Sequence, residues 1–445
     1  MLAWLIDATT YQRQVAEELK TLRRDYFRIK SFVRDLAFGE HVYPKEKTFS
    51  LGLLRIATLL DANGIDVRYM DTNQDFASLA KTAKPDIVAF SCVCPTVDTC
   101  ISLAGNIRML APDARMIIGG PHINVAETLT REYCDCFDDF IAGYEFSAVS
   151  RILKISEADI IVPNGYVDYS LLPYPITEYS INTFTALGCM YSCNFCQDSA
   201  IPLIAMDLDG GVAKLGDMLP PRTLVHFFDS TLGYTQARLE QVCKCLSALN
   251  HEFLLSCELR AEQINEKTID LLCNAGFVEV RIGVDSASND VLTQNHRPYN
   301  IENILRKLEL VKSCSNLYVS AYVLSGLPGS TEKSSYETLQ FVKAILSEKY
   351  VSEVKNCIYV PYPMDGIDYR SDGVEIFNWR WSDYDRQSHP VYDLEAFSAN
   401  DIWKEFILIA DMIVRSWQYA YSIADIDDLP HGQYPEYVRS KYGLG

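Results

Sequence analysis

The stretch Leu187-Gly188-Cys189-Met190-Tyr191-Ser192-Cys193-Asn194-Phe195-Cys196 decides how the whole chain is read. It sets three cysteines in a C-x3-C-x2-C spacing just after a short strand-like run, on what reads as the loop at that strand's C-terminal end. One loop of this spacing can wrap three thiolates around an iron-sulfur cluster. Cubane clusters usually take four cysteines, so three leave one iron open to another ligand. A structural zinc site needs a fourth Cys or His to close its tetrahedron. The next candidates, His226 and Cys243, lie outside the loop, so zinc is the second reading. Three buried thiols that merely lie close together are the third.

From about residue 182 the sequence alternates strands with helices. Strands are expected at Asn182 to Ala186, Leu224 to Asp229, Leu254 to Glu258, Val278 to Val284, Leu317 to Leu324 and Asn356 to Val360. Helices fit Gln236 to Leu249, Glu266 to Ala275, Ile301 to Lys312 and Ser334 to Lys349. Repeated strand-helix units of this kind predict a right-handed, partly or wholly closed barrel of the (β/α)6 type over 182–365, with its chemistry at the C-terminal ends of the strands.

Residues 1–155 predict a separate Rossmann-like, doubly wound parallel sheet. Its strands are read at Leu2 to Asp7, Val67 to Asp71, Ile87 to Ser91, Met116 to Gly119 and Phe140 to Ala142, and its helices at Leu51 to Ala62 and Val97 to Leu110, with Gly64 ending the first. Residues 156–181, with Pro163-Asn164-Gly165 and Leu172-Pro173-Tyr174-Pro175, break both periodicities and are read as a linker. Residues 366–445 read as a mostly helical cap, with an aromatic segment around Trp379 and Trp381 followed by a long helix from about Ala399 to Tyr419. Tyr384, Arg380, Arg386 and His389 accompany the aromatic segment, which either lines a substrate pocket or packs the cap on the barrel.

Bulk properties exclude several classes. The chain has 445 residues, a formal charge of -19, 48% hydrophobic and 22% charged residues, which is globular composition and opposes a partner held mainly through phosphates. Nucleic acid is therefore not the expected partner. No apolar stretch approaches the roughly 20 residues needed to span a bilayer. Met1 to Ile6 is a short apolar run without a basic leader and reads as a buried first strand, so the expected location is the cytoplasm, without a membrane partner. Most of the 14 cysteines are then reduced, small, buried side chains, including the pairs Cys92/Cys94, Cys134/Cys136 and Cys243/Cys245.

With Phe195 before its third cysteine, the cluster stretch resembles the motif of the radical S-adenosylmethionine enzymes. The resemblance implies that Cys189, Cys193 and Cys196 ligate a 4Fe-4S cluster. It further implies that the amino and carboxylate groups of S-adenosylmethionine chelate the open iron, and that an external donor such as flavodoxin, ferredoxin or a dedicated reductase supplies the electron. Along the barrel it places Phe195, Asp229, Glu258, Arg260 and Ser286 against the cofactor. Gly326 and Leu327, in Leu324-Ser325-Gly326-Leu327-Pro328-Gly329, stand at the family's adenine contact, and Asp285 stands where many relatives have glutamate.

The N-terminal part resembles the cobalamin-binding domain that precedes the barrel in one class of these enzymes. The carrying residues are Ser50-Leu51-Gly52-Leu53, Pro85-Asp86-Ile87-Val88 with Ser91, and Ile118-Gly119-Gly120-Pro121-His122. Ser91, Gly119 and Gly120 are the implied cobalamin contacts. The D-x-H-x-x-G pattern that gives a histidine to cobalt elsewhere is absent, and His122 and His41 read as packing or surface histidines. The resemblance implies cobalamin-dependent C-methylation of a small metabolite or natural-product intermediate. The alternatives are a cobalamin-independent radical dehydration, epimerisation or rearrangement, and a non-catalytic metal- or corrin-binding sensor.

Overall fold

The computed structural model describes residues 1–9, 17–39, 47–163, 167–208, 212–249, 252–314, 316–421 and 423. His41 and the Asn164-Gly165 pair lie outside the described residues. No helix among them is long and apolar enough to cross a membrane.

The first sheet begins at β1 (Leu2–Ala8), buried along its whole length, as expected of a central parallel strand covered on both faces. Ala3 and Leu5 face one core cluster, while Leu2, Trp4 and Ile6 face another. There follow α1 (Glu17–Phe38), α2 (Leu51–Ala62), β2 (Asp66–Asp71), α3 (Phe76–Thr82), β3 (Ile87–Cys92), α4 (Val97–Leu110), β4 (Arg115–Gly119), α5 (Ile123–Tyr133), β5 (Asp139–Ile141) and α6 (Glu145–Leu153). The strands lie in the order β2-β1-β3-β4-β5, all parallel. The order reverses between β1 and β3, and a crevice for a ligand opens at the C-terminal ends of the strands flanking such a reversal.

The second sheet uses β6 (Ile181–Thr183), β9 (Leu224–Phe227), β10 (Leu254–Arg260), β11 (Phe277–Asp285), β12 (Tyr318–Ser325) and β13 (Glu353–Ile358). Between β6 and β9 lie a small antiparallel pair, β7 (Ala186–Leu187) with β8 (Ile204–Ala205), and α7 (Leu215–Met218). The expected single strand from Asn182 to Ala186 is thus two pieces, because Thr185 leaves the ladder to bind Asp229. Helices α8 (Gln236–Ser247), α9 (Glu266–Asn274), α10 (Asn289–Gln294), α11 (Ile301–Cys314) and α12 (Glu332–Ser347) connect the later strands. Strand order follows chain order and every pair is parallel, which is a six-stranded partial barrel. Cys243 and Cys245 lie on α8, not on a strand. The C-terminal segment adds a hairpin, β14 (Val374–Ile376) with β15 (Tyr392–Leu394), and α13 (Ala399–Tyr421).

The barrel interior is charged. Alternation along β10, β11, β12 and β13 turns Val280, Ile282, Val319 and Ala321 toward the helices, and Ser256, Glu258, Glu279, Arg281, Ser320 and Tyr322 toward the lumen. Helix α1 closes the lower end. Arg34, 1% exposed, makes bonds of 3.0 and 2.7 Å to Glu279 and 3.1 Å to Glu353, and Lys30 pairs with Glu353 at 2.7 Å. Burial alone would raise both carboxyl pKa values. The surrounding cations overcome it, holding Glu279 well below the usual carboxylate range and Glu353 at about 2.

Removing one partner from such a site leaves an uncompensated buried charge. The substitution Arg34→Ala is therefore expected to cost about 3–5 kcal/mol, read as a lowered midpoint in chemical denaturation.

Candidate active site

The three cysteines sit on the loop between β7 and the short helical turn at Gln197–Ala200. Gly188 starts this loop with φ +70°, and a Cβ there would lie 2.3 Å from the Pro202 carbonyl oxygen and 2.5 Å from that of Ile201. The close approach lets the Cys189 amide donate to the Ile201 carbonyl at 3.2 Å, which folds the loop back on itself. Cys193 is buried and Cys189 and Cys196 are half-buried. Burial raises the pKa of the Cys189 thiol and pushes that of Cys196 up to about 12, with Asp198 adding to both.

Two cations meet the middle cysteine. Arg260 Nη1, from the end of β10, donates to Cys193 Sγ at 3.3 Å, and Arg297 Nη1 donates to the same sulfur at 3.4 Å. Both guanidiniums are fixed. Arg260 is held by Glu262 and lies 3.8 Å from the Tyr191 ring centroid, and Arg297 is held by Asp285 and lies 5.4 Å from the Phe195 ring centroid. Asp285 reaches Arg297 from a left-handed backbone, φ +65°, and also accepts from the Tyr299 hydroxyl at 3.2 Å. Its partners are therefore internal.

Among the described residues no three His, Cys, Asp or Glu side chains are grouped to hold one metal ion. Three thiols on one loop, with two guanidiniums on the middle sulfur, suit a cluster that takes one sulfur per iron and carries negative charge.

The remaining expected contacts separate into two sets. Glu258 faces the lumen, where it accepts from Tyr322 at 2.9 Å. Burial opposes its charge, but His226, Arg281 and Tyr322 hold its pKa at about 2. It shares its face of β10 with Arg260, whose guanidinium reaches Cys193. Asp229, by contrast, is buried, and both of its oxygens are taken by the Thr185 amide at 3.0 Å, with the Thr185 hydroxyl at 2.7 Å. It ties the end of β9 to the chain entering β7. Ser286 is buried and accepts from the Ser288 amide. At Gly326 the space of a side chain is filled by the Tyr392 hydroxyl and Ile402, and Leu327 is fully buried beneath the C-terminal segment.

At the reversal point of the first sheet, the Asp7 carboxylate accepts from the Ser50 amide at 2.6 Å and the Tyr69 hydroxyl at 2.7 Å, and the Ser50 and Ser91 hydroxyls are 3.4 Å apart. Gly120, at φ +101°, is glycine because a Cβ would meet Cys92 N at 2.7 Å and Ser91 Oγ at 2.8 Å. A Cβ on Gly119 would meet the Ile141 carbonyl at 3.0 Å. The strand ends at this edge are therefore closely packed around the pair. The loops at this edge meet the barrel: the Tyr144 hydroxyl donates to the Pro202 carbonyl at 2.8 Å, and the Thr128 amide donates to Asp365 at 2.8 Å. The C-terminal edge of the first sheet thereby meets the segment after the cluster loop and the segment after β13.

His122 does not face that crevice as a ligand. It is 1% exposed, Nε2 lies 3.0 Å from the Thr130 hydroxyl, and its ring packs on Trp381 at 4.9 Å. Trp381 also stacks on Tyr133 at 4.4 Å and Tyr384 is fully buried, so this part of the aromatic segment packs, whereas Trp379 is 63% exposed.

Arg297, Tyr191, Tyr322 and His226 were not expected from sequence. Alternation in Ser256-Cys257-Glu258-Leu259-Arg260 and Glu279-Val280-Arg281-Ile282 carried the signal for a polar lumen. Arg297 had none, because its partners Asp285 and Cys193 are distant in sequence.

Two outcomes follow from this geometry. Gly188→Ala, by forcing the loop off Ile201 and Pro202, is expected to lower iron and sulfide bound per chain several-fold after anaerobic reconstitution. Burial lowers the His122 pKa to about 4, against a partial upward pull from Asp365. The unfolded chain thus gains a proton near pH 6.5 that the folded chain refuses until about pH 4. The contribution is full above pH 6.5 and falls by about 3 kcal/mol as pH drops to about 4. His122→Gln is expected to flatten the acid limb of a stability-against-pH curve.

Comparison with known proteins agrees with this arrangement. The family model described as B12 binding domain matches residues 43–153, and that described as Radical SAM superfamily matches residues 184–342. An uncharacterised methyltransferase of Pyrococcus horikoshii is 20% identical over 407 residues, covering 80% of this chain and 85% of that one. The fold is similar to that of the radical S-adenosylmethionine methyltransferase TsrM from Kitasatospora setae with cobalamin and a [4Fe-4S] cluster bound, with TM-score 0.59, 15% identity, and coverage of 87% of this chain and 84% of that one. It is also similar to the cobalamin-dependent S-adenosylmethionine radical enzyme OxsB, with TM-score 0.55, 13% identity, and coverage of 92% and 56%. The chain belongs to the Radical SAM superfamily and carries a B12 binding domain ahead of its barrel.

Proposed function

We propose that the protein is a cobalamin-dependent radical S-adenosylmethionine methyltransferase acting on an unactivated carbon of a small molecule. The observation that carries this reading is the meeting of two C-terminal sheet edges. The Tyr144–Pro202 hydrogen bond ties the turn after β5, at the C-terminal edge of the first sheet, to the segment that follows the cluster loop. In that reading Cys189, Cys193 and Cys196 hold a 4Fe-4S cluster, Glu258 and Arg260 orient S-adenosylmethionine, and the crevice by Asp7, Ser50 and Ser91 receives cobalamin. Bound there, these groups supply an electron for sulfonium cleavage and a transferable methyl group.

The chain's own contribution is electrostatic and steric. Arg260 and Arg297 place positive charge beside the Cys193 sulfur, which favours the reduced state of whatever that sulfur ligates. The apolar packing of Phe195 and Leu327 shields the loop from one side. An external one-electron donor and a small substrate complete the reaction.

Radical dehydration, epimerisation or rearrangement without a corrin is the second reading. It is favoured by the absence of a D-x-H-x-x-G stretch from the sequence, the pattern that supplies a histidine to cobalt elsewhere.

Anaerobically reconstituted protein, given reductant, S-adenosylmethionine and candidate metabolites, is expected to release both 5′-deoxyadenosine and S-adenosylhomocysteine. Loss of both products in the Cys189, Cys193 and Cys196 alanine variants is expected as well. 5′-Deoxyadenosine alone, from corrin-free protein, would select the second reading, and zinc in place of a reducible centre would remove both.

A further inference from the structure

A cavity of about 160 Å³ is lined by residues of α1, α13 and the strands β12 and β13. Its size is close to the roughly 150 Å³ of an engineered cavity that takes one benzene. Tyr26 and Phe27 of α1 with Phe406 and Ile413 of α13 make an apolar wall, and Phe27, 43% exposed, stands at its outer rim. The opposite wall is the edge of the barrel lumen, with Tyr322 and Lys355.

Lys355 is the unusual group. Its side chain is 13% exposed and its nearest carboxylate, Glu279, is 3.7 Å away, beyond hydrogen-bonding distance. That carboxylate is already occupied by Arg34, Arg281, Ser256 and Ser320. The ammonium is otherwise placed 5.3 Å from the Tyr322 ring centroid. Among the described residues, this part of the lumen gathers four cations, Lys30, Arg34, Arg281 and Lys355, against three carboxylates, Glu258, Glu279 and Glu353. One positive charge is in excess, and burial together with Arg281 draws the Lys355 ammonium down to about 7. Fully desolvated charges are normally paired.

We propose that this cavity is a binding site for a small organic carboxylate, with its apolar body between Tyr26, Phe27 and Phe406 and its anionic end on Lys355. The carboxylate supplies the missing charge and accepts the hydrogen bonds that Lys355 makes to no described residue. A ligand there lies against Tyr322, whose hydroxyl binds Glu258, so occupancy bears on the upper barrel through one side chain. The site draws on none of the cluster cysteines, and its test needs no cofactor.

Benzoate, benzamide and benzylamine are titrated calorimetrically into the full chain. Benzoate is expected to bind about ten-fold or more tightly than benzamide, the scale of a hydrogen bond to a charged group, with benzylamine weakest. Lys355→Met is expected to abolish the preference for benzoate. Ala410→Leu, which fills the cavity from the α13 side, is expected to weaken benzoate and benzamide alike by about ten-fold. Equal affinity for benzoate and benzamide, a preference retained in Lys355→Met, or unchanged binding in Ala410→Leu would overturn the assignment. Should Lys355→Met not fold, the wild-type ligand comparison and Ala410→Leu still decide it.

Discussion

Charge inside the barrel has to be balanced where water is scarce, and that constraint joins the two halves of this protein. Glu279 and Glu353 lie on barrel strands, but Arg34 and Lys30, which neutralise them, come from the first helix of the N-terminal part. Neither half meets its electrostatic requirement alone. A carboxylate deprived of its partner there would suffer desolvation without compensation. The helix that plugs the barrel also packs against α13, so an N-terminal and a C-terminal element meet over the barrel's charged end.

The same principle continues upward through the lumen. Arg281 links Glu279 to the neighbourhood of Glu258 and His226, and above them Arg260 and Arg297 turn their guanidiniums to Cys193. Charge alternates along the axis from the plugged end to the cluster loop. Arg260 and Arg297 are in turn held by Glu262 and Asp285, so the guanidiniums beside the cluster loop have a fixed geometry. The C-terminal segment closes the assembly from outside. Trp381 is wedged against His122 and Tyr133, and Tyr392 and Ile402 fill the space above Gly326.

Glycine is the residue type whose reason a sequence hides best. Gly119, Gly120 and Gly326 stand where a cofactor's approach would call for glycine, and each also has a neighbouring backbone or side chain in the space a Cβ would take. A glycine records only that space is short and not what takes it. Gly188 differs, because its close approach to Ile201 and Pro202 shapes the loop that carries the cysteines.

Local spacing was enough to determine the strand-helix alternation, two parallel sheets and the three-cysteine loop, because period, capping and short-range ligand spacing are written within a few residues of each other. The buried course of β1 and the C-terminal end of α2 at Gly64 were legible in the same way. Tertiary structure alone decided which charges meet. Arg34 finds Glu279 across 245 residues, Arg297 finds Cys193 across 104, and Asp229 turns inward to Thr185 instead of outward to a ligand. Such pairings depend on strand order and on the direction each side chain leaves its strand, and no local window of sequence contains either.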